Sequence, residues 1–397
     1  MLYLDYNATS PLHPEVRMAV APYLMEKFGN ASSLHSAGRQ ARSAIEAVRG
    51  KLLSALGDPS GELIFTSGGT EADNLAVKGV GRVLRWKGDH LILSSVEHSA
   101  VLHSAQSLVE EGFKVTFVPV NHEGVVDVEA LKRLITPQTV LISVMHANNE
   151  VGTVQPIGEI AKIAHDKEIL FHTDAVQSFG KLKLNVREIG ADLVSVSAHK
   201  IGGPKGVGAL YLRQGVALKP LLSGGPHEHQ HRAGTEGVPG IVGMGAALEV
   251  TLKEQSNGTL ERITHLRDRL EKGLKESVSD LHINGHPTQR LGGTLNVTFL
   301  GCSGETLLMA FDLSDICVST GSACSSGSTQ PSHVLVAMGL PSQRIEGSIR
   351  FSLGWGTTEE EIQECLRRIP PIVERIRKVE GKGLSHRRTV PFPIGGQ

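Results

Sequence analysis

The chain has 397 residues, with 40 lysines and arginines against 41 aspartates and glutamates, so its formal net charge is −1. This length predicts two or three compact units. The balance of charge argues against a nucleic-acid-binding tail or a polybasic membrane patch, so small molecules and proteins are the expected partners. The N-terminal stretch MLYLDYNATSPLHPEV lacks the pattern of a signal peptide, and no apolar run is long enough to span a membrane. We therefore expect a soluble, cytoplasmic protein.

From about residue 60, apolar strand-like runs alternate with helical patterns. LIFTS precedes EADNLAVKGVGRVLRW, LILSS precedes EHSAVLHSAQSLVEEG, VLISVMHA precedes PIGEIAKIAHDKE, and ILFHTDAV follows. Such alternation predicts a mostly parallel sheet with crossover helices. In one of these helices Ile157, Ile160, Ala161 and Ala164 recur at i, i+3, i+4 and i+7, which is the apolar stripe of a helix that packs on a sheet.

The pattern changes after the charged helical stretch TLERITHLRDRLEKGLKESV. Strands are predicted at GTLNVTFL, ICVST and SIRFSLG, and helices at ETLLMAFDL and EEEIQECLRRIPPIVERIRK. We interpret this part as a second, smaller α+β unit. The predicted division is an N-terminal arm over residues 1–15, a large domain over 16–255, a small domain over 256–380 and a loose tail over 381–397.

Polar residues cluster at the predicted carboxyl ends of the strands, where ligands bind in open α/β sheets. In TSGGTEADN a strand turns into a helix, and the backbone N–H groups of its first turn suit a phosphate, although a plain helix cap has the same pattern. Asp174 ends FHTDAV, where its carboxylate needs a partner, either a pyridinium nitrogen or a nearby loop. The turn GGPKGVG lacks the spacing of a P-loop and leads into another strand, GALYL.

The stretch SVSAHK brings a predicted strand to a lysine. If the extended conformation persists to that point, the two-residue period places Ser197 and His199 on one side and Lys200 on the other. A lysine at the buried end of an apolar strand is costly unless it is paired or neutral, and a neutral amine is what Schiff-base chemistry requires. A solvated lysine at a strand exit is the alternative interpretation.

Seven motifs occur together in one order: TSGGTEADN, EHSAVL, HANNEVGTVQPI, HTDAVQS, SAHKIGGPKGVGALY, HRAGTE and STGSACSSGS. In this set the chain resembles the pyridoxal phosphate (PLP)-dependent cysteine desulfurases of the NifS/IscS type, within the class V aminotransferases. The resemblance runs from YLDYNATSP to TTEEEI near residue 360. It implies an α/β homodimer of PLP fold-type I, with a mostly parallel seven-stranded sheet in the large domain and a smaller α+β C-terminal domain.

The resemblance also implies a role for each matching residue. Lys200 would carry PLP and act as the catalytic base, His98 would stack on the ring and take part in catalysis, and Asp174 would bind the ring nitrogen. Asn149 and Gln177 would lie near the phenolic oxygen, with Asn149 also near the substrate. Arg350 would bind the carboxylate of L-cysteine. The phosphate would be held by Gly69, Thr70, Ser197, His199 and Thr235 of the partner subunit.

Cysteines stand at positions 302, 317, 324 and 365, without the spacing of a zinc site or a disulfide framework. Cys324 lies in the Ser/Gly-rich stretch STGSACSSGSTQPS, which has the composition of a mobile loop, whereas the others lie in or beside apolar runs. The resemblance implies that sulfur from L-cysteine passes to Cys324 as a persulfide, leaving L-alanine. An acceptor protein, either an iron–sulfur scaffold or a thiolation partner, would then take the sulfur.

Three other functions stay open at this stage. A selenocysteine lyase or an aminotransferase would share the fold, and a non-catalytic partner of a desulfurase would share the sequence family. The chain also departs from the family pattern, since Pro226-His227 stand in a stretch that usually reads G-G-x-Q-E, and Gly237 replaces a common asparagine after HRAGTE. The alternating His227, His229 and His231 could mimic a metal site, but with no ligand geometry no metal is predicted.

Overall fold

The computed structural model describes residues 1–320 and 330–383. Cys324 and the last fourteen positions, 384–397, lie outside the described residues. Before the main sheet the chain forms β1 (Leu2–Tyr3), α1 (Pro14–Met25) and α2 (Ser36–Ala55). None of the described helices is both long and apolar enough to cross a membrane.

The large sheet and its helices follow in alternation. The elements are β2 (Glu62–Thr66), α3 (Gly69–Val83), β3 (His90–Ser94), α4 (Ser99–Glu110), β4 (Lys114–Val118), α5 (Val128–Leu134), β5 (Thr139–Ser143), α6 (Ile157–His165), β6 (Leu170–Asp174), α7 (Val186–Ile189), β7 (Leu193–Ser197) and β8 (Gly208–Leu212). The strand order is β2-β8-β7-β6-β5-β3-β4. Only β8 runs antiparallel to its neighbours in this sheet. The prediction of a mostly parallel seven-stranded sheet is therefore confirmed.

The rest of the chain first adds α8 (Val238–Ser256), which packs on the large sheet, and then forms a smaller sheet with its own helices. The elements are α9 (Thr259–Ser277), β9 (Leu281–Asn284), β10 (Thr294–Phe299), α10 (Gly304–Asp312), β11 (Ile316–Cys317), α11 (His333–Ala337), α12 (Ser342–Glu346), β12 (Ser348–Ser352) and α13 (Glu359–Gly383). Strands β9, β10 and β12 pair antiparallel in the order β12-β10-β9. The core of this half includes Leu4, which comes from the start of the chain.

Burial on the two faces of the large sheet explains why these elements form. Helices α2, α6 and α8 cover one face, and α3 and α4 cover the other. The predicted apolar stripe of α6 is confirmed, because its four residues are at most 4% exposed. Strand β4 was not predicted from the sequence. It lies at the sheet edge and alternates only weakly, with two of its five residues exposed.

The start of the chain ties the two halves together. Strand β1 pairs with β11 in the smaller half. A few residues later, Ser10 N–H donates to the carbonyl of His199 in the larger half, at 2.9 Å. The segment between them, residues 4–10, therefore crosses between the halves at the carboxyl ends of β6 and β7, and we call it the crossing segment.

Candidate active site

A cavity of about 630 Å³ lies where the carboxyl ends of β6 and β7 meet the crossing segment and β12. Ten of the residues predicted from the sequence line it: Gly69, Thr70, His98, Asn149, Asp174, Gln177, Ser197, His199, Lys200 and Arg350. Parallel strands end at the same edge of a sheet, which is why positions far apart in sequence converge here. Thr235 does not line the cavity; it lies on an exposed segment of this chain.

The amino end of α3 forms one wall of the cavity. Gly69 begins the helix, and a Cβ at this position would lie 2.7 Å from Cγ2 of Val176, so only glycine fits without a shift. Ser197 ends β7 beside it, and His199 contacts Thr9 through Nδ1, 3.1 Å from Oγ1. Burial and the charge of Lys200 lower the pKa of His199 to about 4, so its ring is neutral at pH 7. Backbone N–H groups, hydroxyls and a neutral imidazole suit a phosphate.

The local conformation at Lys200 differs from the sequence prediction. Strand β7 stops at Ser197, and Ala198–Lys200 form one turn of 3₁₀-helix, closed by Ile201 N–H donating to the carbonyl of Ala198 at 3.0 Å. The extended conformation on which the prediction depended therefore ends at Ser197, and the two-residue period does not apply to His199 and Lys200. Both side chains line the cavity.

The crossing segment holds the lysine amine. Lys200 Nζ donates to the carbonyl oxygens of Asn7 at 2.5 Å and of Ala8 at 2.8 Å. Gln177 Nε2 donates to the same Asn7 carbonyl, at 2.9 Å. Backbone acceptors of the crossing segment thus direct the lysine amine.

Two carboxyl groups meet at the floor of the cavity. Asp174 ends β6, accepts a hydrogen bond from the Val176 N–H at 2.8 Å, and has its pKa raised by burial, although the charges of His98 and Lys200 oppose the shift. Burial and the charge of Asp174 raise the pKa of Asp73 well above its ordinary value. Asp73 Oδ1 has no hydrogen-bond partner among the described residues. Since two buried like charges disfavour each other, Asp73 and Asp174 do not readily ionise together, and a cationic group bound in the cavity would favour the charged form of Asp174.

Arg350 is buried and reaches the cavity from β12. Its Nη1 donates to the carbonyl of Asn149 at 3.0 Å, and its Nη2 to Asp5 Oδ1 at 2.8 Å. Asp5 Oδ2 also accepts from the hydroxyl of Ser319, at 2.9 Å. The guanidinium is therefore held in one orientation by the crossing segment and by the loop after β5.

Sequence reasoning missed several residues that line or support this cavity. Asn7, Asp73, Glu150 and His333 line it, and Asp5 positions Arg350. Burial raises the pKa of Glu150, which accepts a hydrogen bond from Ser332. The motif YLDYNATSP was recognised as part of the resemblance, so a signal for Asp5 and Asn7 was present, but no role was drawn from it.

The three described cysteines are poor nucleophiles. Cys302 and Cys365 are buried, and burial raises the pKa of the Cys365 thiol to about 12. Burial also raises the pKa values of Cys302 and Cys317. Since the thiolate is the reactive form, none of the three is suited to attack a substrate.

The stretch around Glu228, where the sequence departs from the family pattern, is held by a buried ion pair. Arg49 donates from Nη1 and Nη2 to the two carboxylate oxygens of Glu228, each at 2.9 Å. Of the neighbouring histidines, His231 lies 3.5 Å from the carboxylate of Glu62. Within residues 1–320 and 330–383, no group of three or more potential ligands is arranged to hold a metal ion.

Comparison with known proteins assigns the chain to a family. The family model described as aminotransferase class-V matches residues 2–365. The chain belongs to the aminotransferase class-V family. Among curated members it is 50% identical to a cysteine desulfurase IscS from Dictyoglomus turgidum, over 95% of this chain and 96% of that protein. It is 49% identical to one from Methanosarcina thermophila, over 95% and 93% of the two chains.

Solved structures of other proteins agree with this fold. A NifS-like protein matches with a TM-score of 0.88 and 38% identity, over 94% of this chain and 99% of that one. A structure described as SspA in complex with cysteine matches with a TM-score of 0.79 and 36% identity, over 89% and 99%. The predicted fold class and the resemblance to cysteine desulfurases are both confirmed.

The residues present fit PLP, the cofactor that this family implies. The glycine at the start of α3 leaves room for a phosphate to approach the backbone, and Lys200 offers an amine for covalent attachment. Asp174 is buried, and its carboxylate can pair with a protonated ring nitrogen. Each of the three parts of the cofactor thus has a matching group in one cavity.

Proposed function

We propose that this protein is a PLP-dependent cysteine desulfurase, which converts L-cysteine to L-alanine and transfers the sulfur to an acceptor protein. The observation that carries the proposal is the convergence of Lys200, Asp174 and Arg350 in one cavity. An attachment point for the cofactor, a partner for its ring and a cation for the substrate carboxylate are the minimum that an amino-acid substrate requires.

Each described residue has one task in this proposal. PLP, when bound, supplies an electron sink at the carbon that bears the amine. Gly69, Thr70, Ser197 and His199 hold its phosphate, and Asp174 keeps the ring nitrogen protonated. His98 covers the ring, and Asn149 and Gln177 lie at the phenolic oxygen.

Arg350 and Lys200 act on the substrate. The Arg350 guanidinium, oriented by Asp5, binds the α-carboxylate of L-cysteine. The Lys200 amine, once free, removes the proton from Cα and later returns protons to the product. The carbonyls of Asn7 and Ala8 keep this amine at the cavity wall, within reach of a substrate that Arg350 has anchored.

Cys324 takes the sulfur. Its thiolate attacks the substrate sulfur, the S–S bond forms as the Cβ–S bond breaks, and the bonding electrons remain on carbon, which is protonated to give the methyl group of alanine. The enzyme sulfur then carries the substrate sulfur as a persulfide, so the sulfur is oxidised as the carbon is reduced. This role comes from the resemblance and is supported by the raised pKa values of the other three thiols.

We further infer a homodimer in which Thr235 of the partner subunit completes the phosphate site. On its own chain Thr235 lies on an exposed segment away from the cavity, so it can reach a cofactor only across an interface. The persulfide then passes to an acceptor, either an iron–sulfur scaffold or a thiolation partner.

The test is to measure alanine and sulfide formed from L-cysteine by the PLP-loaded protein in the presence of a reductant. Cys324→Ala should retain the absorbance of bound cofactor but release little sulfide, and Lys200→Ala should lose both. Cys317→Ala, which removes a partly buried thiol, is the matched control and should behave as wild type. Sulfide release that survives Cys324→Ala, or transamination alone, would exclude the desulfurase and favour an aminotransferase of the same fold.

A further inference from the structure

A second lysine amine lies close to Lys200. Lys181 is partly buried in the loop between β6 and α7, and it lines a second cavity, of about 280 Å³. Asn7 and Lys200 line both this cavity and the active-site cavity, so they form the wall between the two. Lys181 therefore stands behind the catalytic lysine, on the side away from the substrate.

No acidic side chain pairs with Lys181 in the described part of the chain. The other ionisable residues that line its cavity are Tyr6, His13, Lys200, Glu254, Arg267 and Arg290. Glu254 is the single acid among them, and its nearest ion-pair partner is His13, at 3.8 Å. Burial, followed by the charges of Lys200 and Arg350, lowers the pKa of Lys181 to about 7. An amine placed in this cavity without a carboxylate partner calls for a reason other than stability.

A short chain of hydrogen bonds connects the two amines. Lys181 Nζ donates to Gln177 Oε1 at 3.3 Å, and Gln177 Nε2 donates to the Asn7 carbonyl at 2.9 Å. The same carbonyl accepts from Lys200 Nζ. If the Gln177 amide were flipped, its NH₂ would face the Lys181 amine and its oxygen would face the Asn7 carbonyl, so both contacts would turn repulsive.

We propose that Lys181 is a positioning residue for the catalytic lysine: its amine fixes the orientation of the Gln177 amide, which holds the Asn7 carbonyl where it receives the Lys200 amine. This inference rests on the proposed function, because it assigns Lys181 to the support of the residue that carries the cofactor. Lys181 itself touches neither substrate nor cofactor, since it does not line the active-site cavity.

The experiment follows covalent capture of PLP by the apoprotein through its absorbance, which needs no turnover. Lys181→Met keeps the length of the side chain but removes the donor, and should slow capture about tenfold, the effect of one charge-assisted hydrogen bond. Lys181→Arg should restore at least half of the rate. Lys183→Met is the matched control, because Lys183 is 79% exposed and pairs with Glu188; it should leave capture unchanged.

A double-mutant cycle decides whether Lys181 acts through Gln177. In a Gln177→Ala background, Lys181→Met should change the capture rate less than twofold. Additive effects, or an equal loss in Lys183→Met, would overturn the inference. Should Lys181→Met fail to fold, as judged by its thermal unfolding, Lys181→Gln replaces it in the same cycle. A wild-type protein that captures PLP but forms no alanine would refute the proposed function, while the cycle would still test Lys181.

Discussion

The ion pair between Arg49 and Glu228 should contribute strongly to stability, because both side chains are buried. Their side chains are 7% and 2% exposed, and the pairing is bidentate. Glu228 Oε2 also accepts from the Phe65 N–H, at 2.8 Å, which ties the pair to β2. The same pair holds a strained turn, since Glu228, His229 and Gln230 have φ values of 45°, 54° and 70°.

Replacement of Glu228 by glutamine would leave the Arg49 charge buried without its main partner. Removing one member of a buried pair costs about 3–5 kcal/mol, and we expect a value near the lower limit, about 3 kcal/mol, because Glu46 also contacts Arg49 and is 44% exposed. The strained turn should relax at the same time. Because that turn leads to Thr235, the proposed partner contact should weaken with it.

Urea unfolding of the apoprotein measures this loss, with Glu249→Gln as the matched control. Glu249 pairs with Lys51 at the surface, where the two side chains are 57% and 51% exposed, so its loss should cost less than about 1 kcal/mol. Arg49→Met combined with Glu228→Leu should recover much of the stability, since it removes both charges. Equal losses in Glu228→Gln and Glu249→Gln would refute the reasoning.

Three further outcomes concern buried titratable groups. Burial raises the pKa of Glu97 to about 8, so the free energy of unfolding should fall as the pH rises from 4.5 to about 8. In urea unfolding at several pH values, Glu97→Gln should reduce this fall, and an unchanged dependence on pH would contradict the assignment. Burial lowers the pKa of His172 to about 3, so stability should be lost as the pH falls from 6.5 towards 3; His172→Asn should show a smaller acid-dependent loss in the same assay. Asp174→Asn should make the apoprotein more stable at pH 8, because burial raises the pKa of that carboxyl. The same variant should bind PLP at least about tenfold more weakly in equilibrium dialysis. A less stable apoprotein would be inconsistent with this reasoning.

The large sheet and most of the cavity could be predicted because their signals are local. Strands β5, β6 and β7 are each five residues long, mostly buried and end in a polar residue, as β6 ends in Asp174. A parallel sheet then brings these ends together without further information. The places of Lys200 and His98 in the cavity could be predicted from their motifs, because the fold is the one that the resemblance implies.

The crossing segment could not be placed from the sequence, because its contacts are too distant. Asp5 meets Arg350 across 345 residues, and β1 pairs with β11 through only two residues on each strand. So short a strand has no detectable period. The 3₁₀ turn at Lys200 was missed for a related reason: propensity does not distinguish one tight turn from two more residues of strand.

The crossing segment also supports both of the groups that are proposed to act on the substrate. Asp5 orients Arg350, and the Ala8 carbonyl holds Lys200, yet these two residues belong to one turn, closed by Ala8 N–H donating to the Asp5 carbonyl at 3.0 Å. The Cα atoms across such a turn are less than about 7 Å apart. Arg350 and Lys200, which come from distant parts of the chain, are therefore supported by neighbouring residues of one turn, so a change in that turn should disturb both groups together.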